Sequence, residues 1–407
     1  MKAVGITAEY NPLHKGHVYH MREARLITGA DTVVTALSGN FMQRGMPAVS
    51  DKWSRADHAL RNGADLVIEI PVLHCLGNAG QYASAGVRLL ESLGVTHIAF
   101  GSESGDTDVL MRTAAFLRDN SNSLGEEIRS FGRQGYSYPS AREMAVRKLG
   151  GDGECLRVLN NPNDILAIEY ILNMKKALPV AVRRLGAEYS QKADESQLFQ
   201  SAAGIRDMLR NGRDISDHVP GCVTDCLAGQ LTPDIIRERD TRLFDMIRYA
   251  VLSSSAEAID DCPSGGEGLG NLVRTEARTA DTLDQLIKQV KSRRYTYSRI
   301  SRLLMQVLLG IDRSSFYSEP GTSCPEPSYI RILGFNNKGR QYLSEIKNKG
   351  ICPLPVLTNI NKEKYVLNSN SAGMLGLDVH AADVYSLING RSISENSDYR
   401  KKPVYLR

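Results

Sequence analysis

The chain has 407 residues, 42% of them hydrophobic and 24% charged, with a formal net charge of +4. This composition is typical of a globular protein and excludes disordered, fibrous and membrane-spanning classes. The small positive charge means that any contact with nucleic acid has to come from local clusters of basic residues.

The length favours two or three domains, and the first of them follows an alternating strand and helix pattern. Short apolar runs alternate with helix-spaced segments such as 53–62 and 83–93, as expected for a parallel sheet covered by helices. We therefore predict an α/β, Rossmann-like domain over residues 1–195. Its candidate strands are Ala3–Thr7, Thr32–Leu37, Leu66–Ile70, His97–Phe100 and Val180–Leu185.

The second half of the chain is predicted to be mainly helical and partly mixed. Residues 196–315 have helix-spaced apolar positions interrupted by the turn-rich stretch 260–266, which contains Pro263 and two glycines. Residues 316–407 are predicted to form a small mixed C-terminal region. The polar stretch from Ser392 onward is expected to be poorly ordered.

The cysteines and the start of the chain indicate a cytoplasmic location. Seven scattered cysteines lack the paired spacing of a zinc site, so reduced thiols are expected. No apolar run reaches the length of a bilayer span, and residues 1–6 pass into a strand pattern without the features of a signal peptide. We predict no membrane contact and no metal held by the protein's own side chains.

The segment from Thr7 to His20 follows the first predicted strand and runs into a helical pattern. A polyphosphate above this helix N-terminus would meet free backbone N–H groups and the positive end of the helix dipole. Gly16 has no side chain to block that approach. His14 and His17 lie three residues apart, so both imidazoles can reach the same phosphate region. Two unliganded surface histidines are the competing interpretation, and the strand–loop–HxGH–helix context argues against it.

These residues resemble the HxGH nucleotidyltransferase superfamily, and within it the bacterial tRNA(Met) cytidine acetate ligases. The similarity extends over most of the chain, and the stretch 38–45 is the part most specific to the family. The segments that carry it are Glu9–His17, Ser38–Gly45, Asp51–Ala56, Phe100–Glu103, Pro162–Leu166, Arg184–Ala187 and Lys291–Thr296.

The resemblance implies an ATP-dependent enzyme that joins acetate to the wobble cytidine of elongator tRNA(Met). Acetate would first form acetyl-adenylate with release of pyrophosphate, and the acetyl group would then pass to N4 of the cytidine. Magnesium is expected to accompany ATP, and His14, Lys15 and His17 are the predicted catalytic residues. The predicted ATP-binding residues are Thr7, Ala8, Glu9, Tyr10, Asn11, Pro12, Leu13, His14, Lys15, Gly16, His17, Val18, Tyr19, His20, Gly101, Asn163 and Arg184.

A later segment departs from the superfamily pattern. Nucleotidyltransferases of this class carry a Ser/Thr-rich turn that ends in Ile-Arg, whereas here Ala203 occupies a position where a hydroxyl is expected. Ser201 and Arg206 are still predicted to contact ATP. The missing hydroxyl is worth one hydrogen bond, about 1.5–3 kcal/mol with a charged acceptor, which allows weaker ATP binding but does not imply loss of activity.

Three further motifs each have a functional and a purely structural interpretation. Ser38, Gly39, Asn40 and Arg44 form either a pocket for acetate or the tRNA end, or a plain Asx-type turn. Asp51 and Arg55 have the spacing of an i,i+4 ion pair, which we prefer to a catalytic role. Asn163 is either a helix N-cap or a ligand contact.

The basic segment near residue 291 is the candidate tRNA-binding surface. Its arginines offer phosphate contacts beside aromatic rings that can stack on bases, although a charge run is usually a solvated helix face. The residues concerned are Lys291, Arg293, Arg294, Tyr295 and Arg299. Two rival functions remain open: a nucleotidyltransferase acting on a small molecule, and a non-catalytic RNA-binding protein that retains the nucleotidyltransferase fold.

Overall fold

The computed structural model describes residues 1–185, 199–292, 294–313 and 324–407. A mainly parallel sheet of eight strands lies at the centre of the fold. The strands are β1 Ala3–Ala8, β2 Thr32–Ser38, β3 Phe41–Met42, β4 Met46–Pro47, β5 Leu66–Ile70, β6 His97–Ser102, β7 Leu178–Arg183, β8 Ile330–Asn336, β9 Val356–Leu357 and β10 Val404–Leu406. The sheet order is β10-β8-β5-β2-β1-β6-β7, with β9 paired to β8, while β3 and β4 form a separate hairpin.

Twenty helices accompany these strands in the described part of the chain. They are α1 Lys15–Thr28, α2 Lys52–Arg61, α3 Val72–Cys75, α4 Ala79–Ser92, α5 Thr107–Asp119, α6 Ser121–Arg133, α7 Tyr138–Lys148, α8 Gly153–Val158, α9 Pro162–Asn173, α10 Ala202–Arg210, α11 Gly221–Leu227, α12 Pro233–Ser253, α13 Ala256–Asp260, α14 Leu269–Glu276, α15 Leu283–Val290, α16 Tyr297–Leu309, α17 Asn337–Lys349, α18 Ile360–Glu363, α19 Ser369–Ile388 and α20 Ile393–Asn396. A short 3₁₀ helix spans Lys364–Val366.

The five strands predicted from the sequence form the parallel centre of the sheet, so the α/β fold class is confirmed. β2 is buried along its whole length and β5 likewise, as expected for strands covered on both faces. All four pairings in the order β5-β2-β1-β6-β7 are parallel. The carboxyl ends of these strands therefore meet at one edge, where ligands bind in open α/β sheets.

The C-terminal segment extends this same sheet. β8 pairs with β5 in antiparallel orientation, and β10 pairs with β8 in parallel orientation. The polar stretch from Ser392, expected to be poorly ordered, instead contains β10 and the buried Asp398. That expectation was wrong because local polarity does not show which groups gain partners in the fold. The domain boundaries near 195 and 315 stay a prediction, and the strand pairing crosses the second of them.

A buried ion cluster fastens the C-terminal segment to the sheet. Asp398 lies 2.6 Å from Lys52 Nζ and 2.9 Å from an Arg331 guanidinium nitrogen, and Glu69 contacts the same two cations at 2.6 and 3.2 Å. All four side chains are at most 3% exposed. The Trp53 indole N–H also donates to Asp398, at 3.2 Å. Two cations and two anions balance, so none of the four is an unpaired buried charge.

No helix in the described ranges has both the length and the apolar character needed to span a membrane.

Candidate active site

The HxGH segment begins α1, and His14 is its N-cap. His14 Nδ1 accepts a hydrogen bond from the Gly16 backbone N–H at 3.1 Å, and His17 Nδ1 accepts from the His14 N–H at 3.2 Å. Two imidazoles thus form a reciprocal capping arrangement in place of the usual hydroxyl and carboxamide. Their rings stack with centroids 3.6 Å apart. The prediction that both histidines project to one side of the first turn is confirmed.

Both imidazoles are neutral at physiological pH. Burial, followed by the charges of Arg184 and Arg206, lowers the pKa of His14 to about 3. Burial also lowers the pKa of His17 well below its usual value, with His14 next in importance. Since each Nδ1 accepts a backbone N–H, the single proton of each neutral ring lies on Nε2. The pair therefore presents two N–H donors away from the backbone, at the end of α1 where anions are favoured.

Two arginines from distant segments lie near this pair. Arg184 directly follows β7, and its backbone N–H donates to the Ser102 carbonyl at 2.9 Å. The Arg184 side chain lies against Gly101, since a Cβ there would be in van der Waals contact with it at 3.4 Å. Arg206 Nη1 donates to the Asn11 carbonyl at 2.7 Å. Both arginines depress the pKa of His14, so the structure brings Gly101, Arg184 and Arg206 together with the histidines.

The glycine of the motif has a role that spacing alone does not reveal. A Cβ on Gly16 would lie 2.9 Å from His14 Cε1 and 3.0 Å from its Nδ1. Gly16 therefore makes room for the imidazole ring, and its role in admitting a phosphate stays a prediction. The absence of a side chain is needed for His14 to cap the helix in this orientation.

The remaining residues of the loop divide into buried and exposed groups. Tyr10 and Leu13 are at most 1% exposed and belong to the core beneath the sheet edge. The Asn11 side chain accepts the Val49 N–H at 2.7 Å. Lys15 is exposed, and its backbone N–H donates to the His218 carbonyl at 2.9 Å. A catalytic role for the Lys15 side chain stays a prediction.

Sequence reasoning missed His218, which lies about two hundred residues after the motif it contacts. Its carbonyl accepts the N–H of Lys15, and its side chain contributes to the lowered pKa of His14. No local pattern marks it, because only the tertiary fold brings α1 and the segment before α11 together.

Asn163 is not the N-cap of α9; Asn161 occupies that position. The Asn163 backbone N–H donates to Glu103 at 3.2 Å, and the Asp164 N–H donates to the same carboxylate at 2.9 Å. The Glu103 carboxylate from the β6 loop thus caps the helix N-terminus across the sheet edge. The N-cap prediction was wrong because a distant carboxylate satisfies these donors.

Asp51 and Arg55 do not form the predicted ion pair. Asp51 is the N-cap of α2 and accepts the N–H groups of Trp53 and Ser54, each at 3.0 Å. Arg55 is fully buried, and its guanidinium donates to four backbone carbonyls, at Glu9, Ser38, Gly39 and Ser50. Arg55 therefore joins the loops that follow β1 and β2, an arrangement that helical spacing cannot reveal.

Most of the Ser38–Asn40 loop is committed to internal contacts. The Ser38 hydroxyl lies 3.1 Å from the Tyr82 hydroxyl, and Asn40 Oδ1 accepts the Lys52 N–H at 2.8 Å. The Asx-type turn interpretation is wrong for Asn40, because its partner is twelve residues away. Arg44 lies apart from these residues, on the wall of a cavity that Arg206 also lines. The assignment of the four residues to one pocket stays a prediction.

The β3–β4 hairpin connects the active-site loops to the helical half of the chain. Gln43 N–H donates to Glu9 Oε1 at 2.7 Å, and Ser301 Oγ on α16 donates to the Gly45 carbonyl at 2.6 Å. Gly45 has φ +78°, and a Cβ there would lie 2.3 Å from the Arg302 backbone nitrogen. Glycine at this position allows the hairpin to pack directly on α16, next to Arg44.

The basic segment lies in the turn between α15 and α16, where Thr296 caps α16. Arg294 pairs with Glu267 at 2.8 Å, and the Tyr295 hydroxyl donates to the same carboxylate at 2.9 Å. Arg299 donates to the carbonyls of Ser264 and Gly265 at 3.0 and 3.1 Å. Arg293 lies outside the described residues. Lys291 lines the same cavity as Arg44 and Arg206.

Ser201 is the N-cap of α10, and its hydroxyl oxygen accepts the Gly204 N–H at 3.1 Å. Ala203 faces the cavity, where a hydroxyl side chain was expected from the superfamily pattern. The Ser201 oxygen is thus used by the helix itself, and its contact with ATP stays a prediction.

Comparison with known proteins agrees with this geometry. A family model described as HIGH Nucleotidyl Transferase matches residues 1–400. The chain is 35% identical over 416 residues to the tRNA(Met) cytidine acetate ligase of Clostridium novyi, with 100% of both chains covered. It is 34% identical over 421 residues to that of Clostridium perfringens, again with full coverage. The chain belongs to this ligase family.

The solved structures of the family share the whole fold. The crystal structure of Thermotoga maritima TmcAL bound with alpha-thio ATP has a TM-score of 0.87 and 30% sequence identity, and the apo form of the same protein has a TM-score of 0.88. Each covers 100% of both chains. The resemblance inferred from the motifs is therefore confirmed.

Proposed function

We propose that this chain is an ATP-dependent ligase that activates acetate as acetyl-adenylate and transfers the acetyl group to N4 of the wobble cytidine in elongator tRNA(Met). The observation that supports this most is the pair of neutral, stacked imidazoles at the N-terminus of α1, with Arg184 and Arg206 near enough to lower the pKa of His14. The relatives are named for this ligation, and the alpha-thio ATP complex of the Thermotoga protein supports ATP as the ligand.

In the first step an acetate oxygen attacks the α-phosphorus of ATP, and the bond from that phosphorus to the bridging oxygen of pyrophosphate breaks. Acetate is already ionised at pH 7, so no general base is required. The attack needs in-line placement and donors directed at the charge that develops on the phosphoryl oxygens. The Nε2–H groups of His14 and His17 and the guanidinium groups of Arg184 and Arg206 provide such donors.

Neutral imidazoles suit this task because each can donate through Nε2–H while its Nδ1 accepts a backbone N–H, which a protonated ring could not do. Burial is the main cause of the lowered pKa of both histidines; Arg184 acts on both, and Arg206 acts on His14. Their backbone hydrogen bonds also fix the ring orientation before ATP arrives, so little reorganisation is needed during reaction.

In the second step the N4 amine of cytidine attacks the acetyl carbonyl carbon of acetyl-adenylate. The carbonyl carbon–phosphate oxygen bond breaks, AMP leaves, and the amine nitrogen loses one proton to solvent or to the departing phosphate. Arg206, which donates to the Asn11 carbonyl of the HxGH loop, also lines a large cavity, and this supports entry of the amine from that side.

In the proposed reaction, Mg²⁺ would bind to the phosphate oxygens of ATP. The described residues contain no group of three or more His, Cys, Asp or Glu side chains arranged to hold a metal ion. The nearby carboxylates of Glu103 and Asp164 are occupied by helix-capping and loop hydrogen bonds. These surroundings fit a Mg²⁺ ion whose ligands are mainly phosphate oxygens and water, and they do not fit one coordinated by several protein side chains.

Acetate-dependent exchange of labelled pyrophosphate into ATP tests the first step, and mass spectrometry of tRNA nucleosides tests the second. We expect exchange with acetate alone and N4-acetylcytidine after addition of tRNA(Met). Replacing His17 by Ala removes one donor and should lower the exchange rate by about 10²–10³-fold. Exchange that requires a phosphorylated small molecule, or tRNA binding without any exchange, would favour the two rival functions and overturn the proposal.

A further inference from the structure

A cavity of about 1080 Å³ has Arg206 of the candidate active site in its wall. Small-molecule pockets usually hold about 300–1,000 Å³, so this space is far larger than acetate requires. Four parts of the chain form its walls: the β3–β4 hairpin, the connection from α6 to α7 with the start of α7, the first half of α10, and the turn from α15 into α16. The lining residues are Arg44, Met46, Gly135, Tyr136, Ser137, Ser140, Ala203, Arg206, Lys291, Ser292, Thr296, Tyr297 and Ser298.

The lining favours an anion. Arg44, Arg206 and Lys291 come from three separate segments, and no lining residue among those described is acidic. The N-terminal turns of α7, α10 and α16 reach the same cavity, as Ser137 and Thr296 are helix N-caps and Ala203 lies in the first turn of α10. Helix N-termini attract phosphate through their free N–H groups, so these ends add to the three side-chain charges.

The lining also offers aromatic surface. Tyr136 and Tyr297 line the cavity with 44% and 39% of their surfaces exposed. The Tyr297 hydroxyl donates to Asp284 at 3.2 Å, which holds the ring in place. Positive charge combined with exposed aromatic rings is the pattern by which proteins bind single-stranded nucleic acid.

The basic residues in the turn between α15 and α16 that do not line the cavity are less suited to binding RNA. Arg294 and Tyr295 are both engaged by Glu267, and Arg299 is engaged by two loop carbonyls. An RNA phosphate would have to replace those partners. Lys291, on the cavity side of the turn, has no acidic residue beside it in the cavity lining.

We infer that this cavity is the RNA-binding site, and that the unpaired nucleotides of the anticodon loop enter it with bases stacked on Tyr136 and Tyr297 and the backbone near Lys291 and Arg44. This inference rests on the proposed function. It assigns an RNA-binding role to the α6–α7 connection, which no motif in the sequence indicated. Arg206 joins the cavity to the phosphate region, so a cytidine bound there reaches the adenylate.

The test measures binding of a short RNA stem–loop with the tRNA(Met) anticodon sequence, by fluorescence anisotropy without ATP. Tyr136→Leu should weaken binding about tenfold by removing one stacking surface. Lys291→Ala should weaken binding at low salt and reduce the slope of log Kd against log salt by about 0.7, the value for one phosphate contact on a single strand.

Two matched variants are the controls. Tyr138→Leu removes an exposed tyrosine two residues away that is not part of the cavity lining. Lys288→Ala removes an exposed lysine from α15 that pairs with Asp284 and likewise is not in the lining. Both should bind the stem–loop within twofold of the unmodified protein.

The outcomes separate this inference from the proposed function. Acetate-dependent pyrophosphate exchange by the unmodified protein reports on the proposed function alone, without RNA. If exchange is present but Tyr136→Leu and Lys291→Ala bind RNA as well as their controls do, the cavity assignment is overturned while the proposed function stands. Equal weakening by Tyr138→Leu and Lys288→Ala would also overturn it, because the effect would then belong to the general surface.

Discussion

Replacing Gly16 by Ala should separate the stability of α1 from the activity of its histidine pair. The new Cβ would lie 2.9 Å from His14 Cε1, closer than Cβ contacts in proteins come, and 3.0 Å from Nδ1, tighter than most of them. The imidazole cannot simply move away, because the His17 ring is stacked on it with a centroid distance of 3.6 Å. The His14 ring has to tilt, which weakens the 3.1 Å hydrogen bond from the Gly16 N–H and turns Nε2–H away from the ligand.

The two effects of this substitution have opposite signs. Alanine is more favourable than glycine inside a helix by about 0.8–1 kcal/mol. Loss of one capping hydrogen bond costs about 0.5–1.5 kcal/mol. The free energy of unfolding should therefore change by less than about 1 kcal/mol. A displaced donor at the reacting phosphate, in contrast, should lower the rate of pyrophosphate exchange by about 10–100-fold.

Urea unfolding followed by circular dichroism measures the first quantity, and acetate-dependent pyrophosphate exchange the second. Gly373→Ala is the control, since a Cβ at that α19 position meets nothing within 4 Å. It should gain helix stability without any change in exchange. Exchange by Gly16→Ala at the unmodified rate, with an unchanged KM for ATP, would refute the reasoning about the His14 ring.

Three further predictions concern stability. Asp398→Ala removes one of the two anions that pair with the buried cations of the ion cluster. It should reduce the free energy of unfolding by about 3–5 kcal/mol in urea titrations. Glu238→Ala, at an exposed ion pair, should change it by less than about 1 kcal/mol. Gly45→Ala should cost about 2–5 kcal/mol in the same assay, because it adds a positive-φ alanine and a backbone clash with α16. Burial lowers the pKa of His74 to about 4, whereas the unfolded residue takes up a proton near pH 6.5. The free energy of unfolding therefore decreases as pH falls below about 6.5. For His74 alone the decrease between pH 7 and 5 should be about 2 kcal/mol.

Each stability prediction has a contrary result. An Asp398→Ala loss no larger than that of Glu238→Ala would mean that the ion cluster does not bind the C-terminal segment to the sheet. Gly29→Ala also has a positive φ but an open environment, so an equal loss there would remove the packing argument for Gly45. His74→Gln should show a decline between pH 7 and 5 that is about 2 kcal/mol smaller than that of the unmodified protein, and an identical decline would contradict the assignment.

Predictions that rested on local periodicity agree well with the structure. Each of the five predicted strands is present, with shifts of a few residues at the ends of β6 and β7. α4 begins at Ala79, earlier than its apolar spacing suggested, because Asn78 and Gln81 form a capping box. Such ends depend on single hydrogen bonds, which periodicity does not detect.

Predictions about polar partners were the ones that failed. Asp51 and Arg55 had the spacing of an ion pair, yet Arg55 found four carbonyls in loops brought together by the fold. Asn163 was an N-cap candidate, yet Glu103 from the loop after β6 accepts the N–H groups at this helix end. Helical spacing predicts which side chains can contact each other on one helix. It does not predict which polar groups a neighbouring helix, strand or loop places beside them.

The sequence by itself determined the succession of the central strands and helices along the chain, the HxGH segment at the start of α1, and membership in the ligase family. These features are local, because they depend on side-chain period, on helix-end chemistry and on short motifs. Only the tertiary structure decided that Arg184, Arg206 and His218 surround the histidines, that β8 and β10 complete the sheet, and that the hairpin, the α6–α7 connection and α16 enclose one cavity. Those contacts join residues far apart in the chain, and their energy comes from burial and pairing that exist only once the chain has folded.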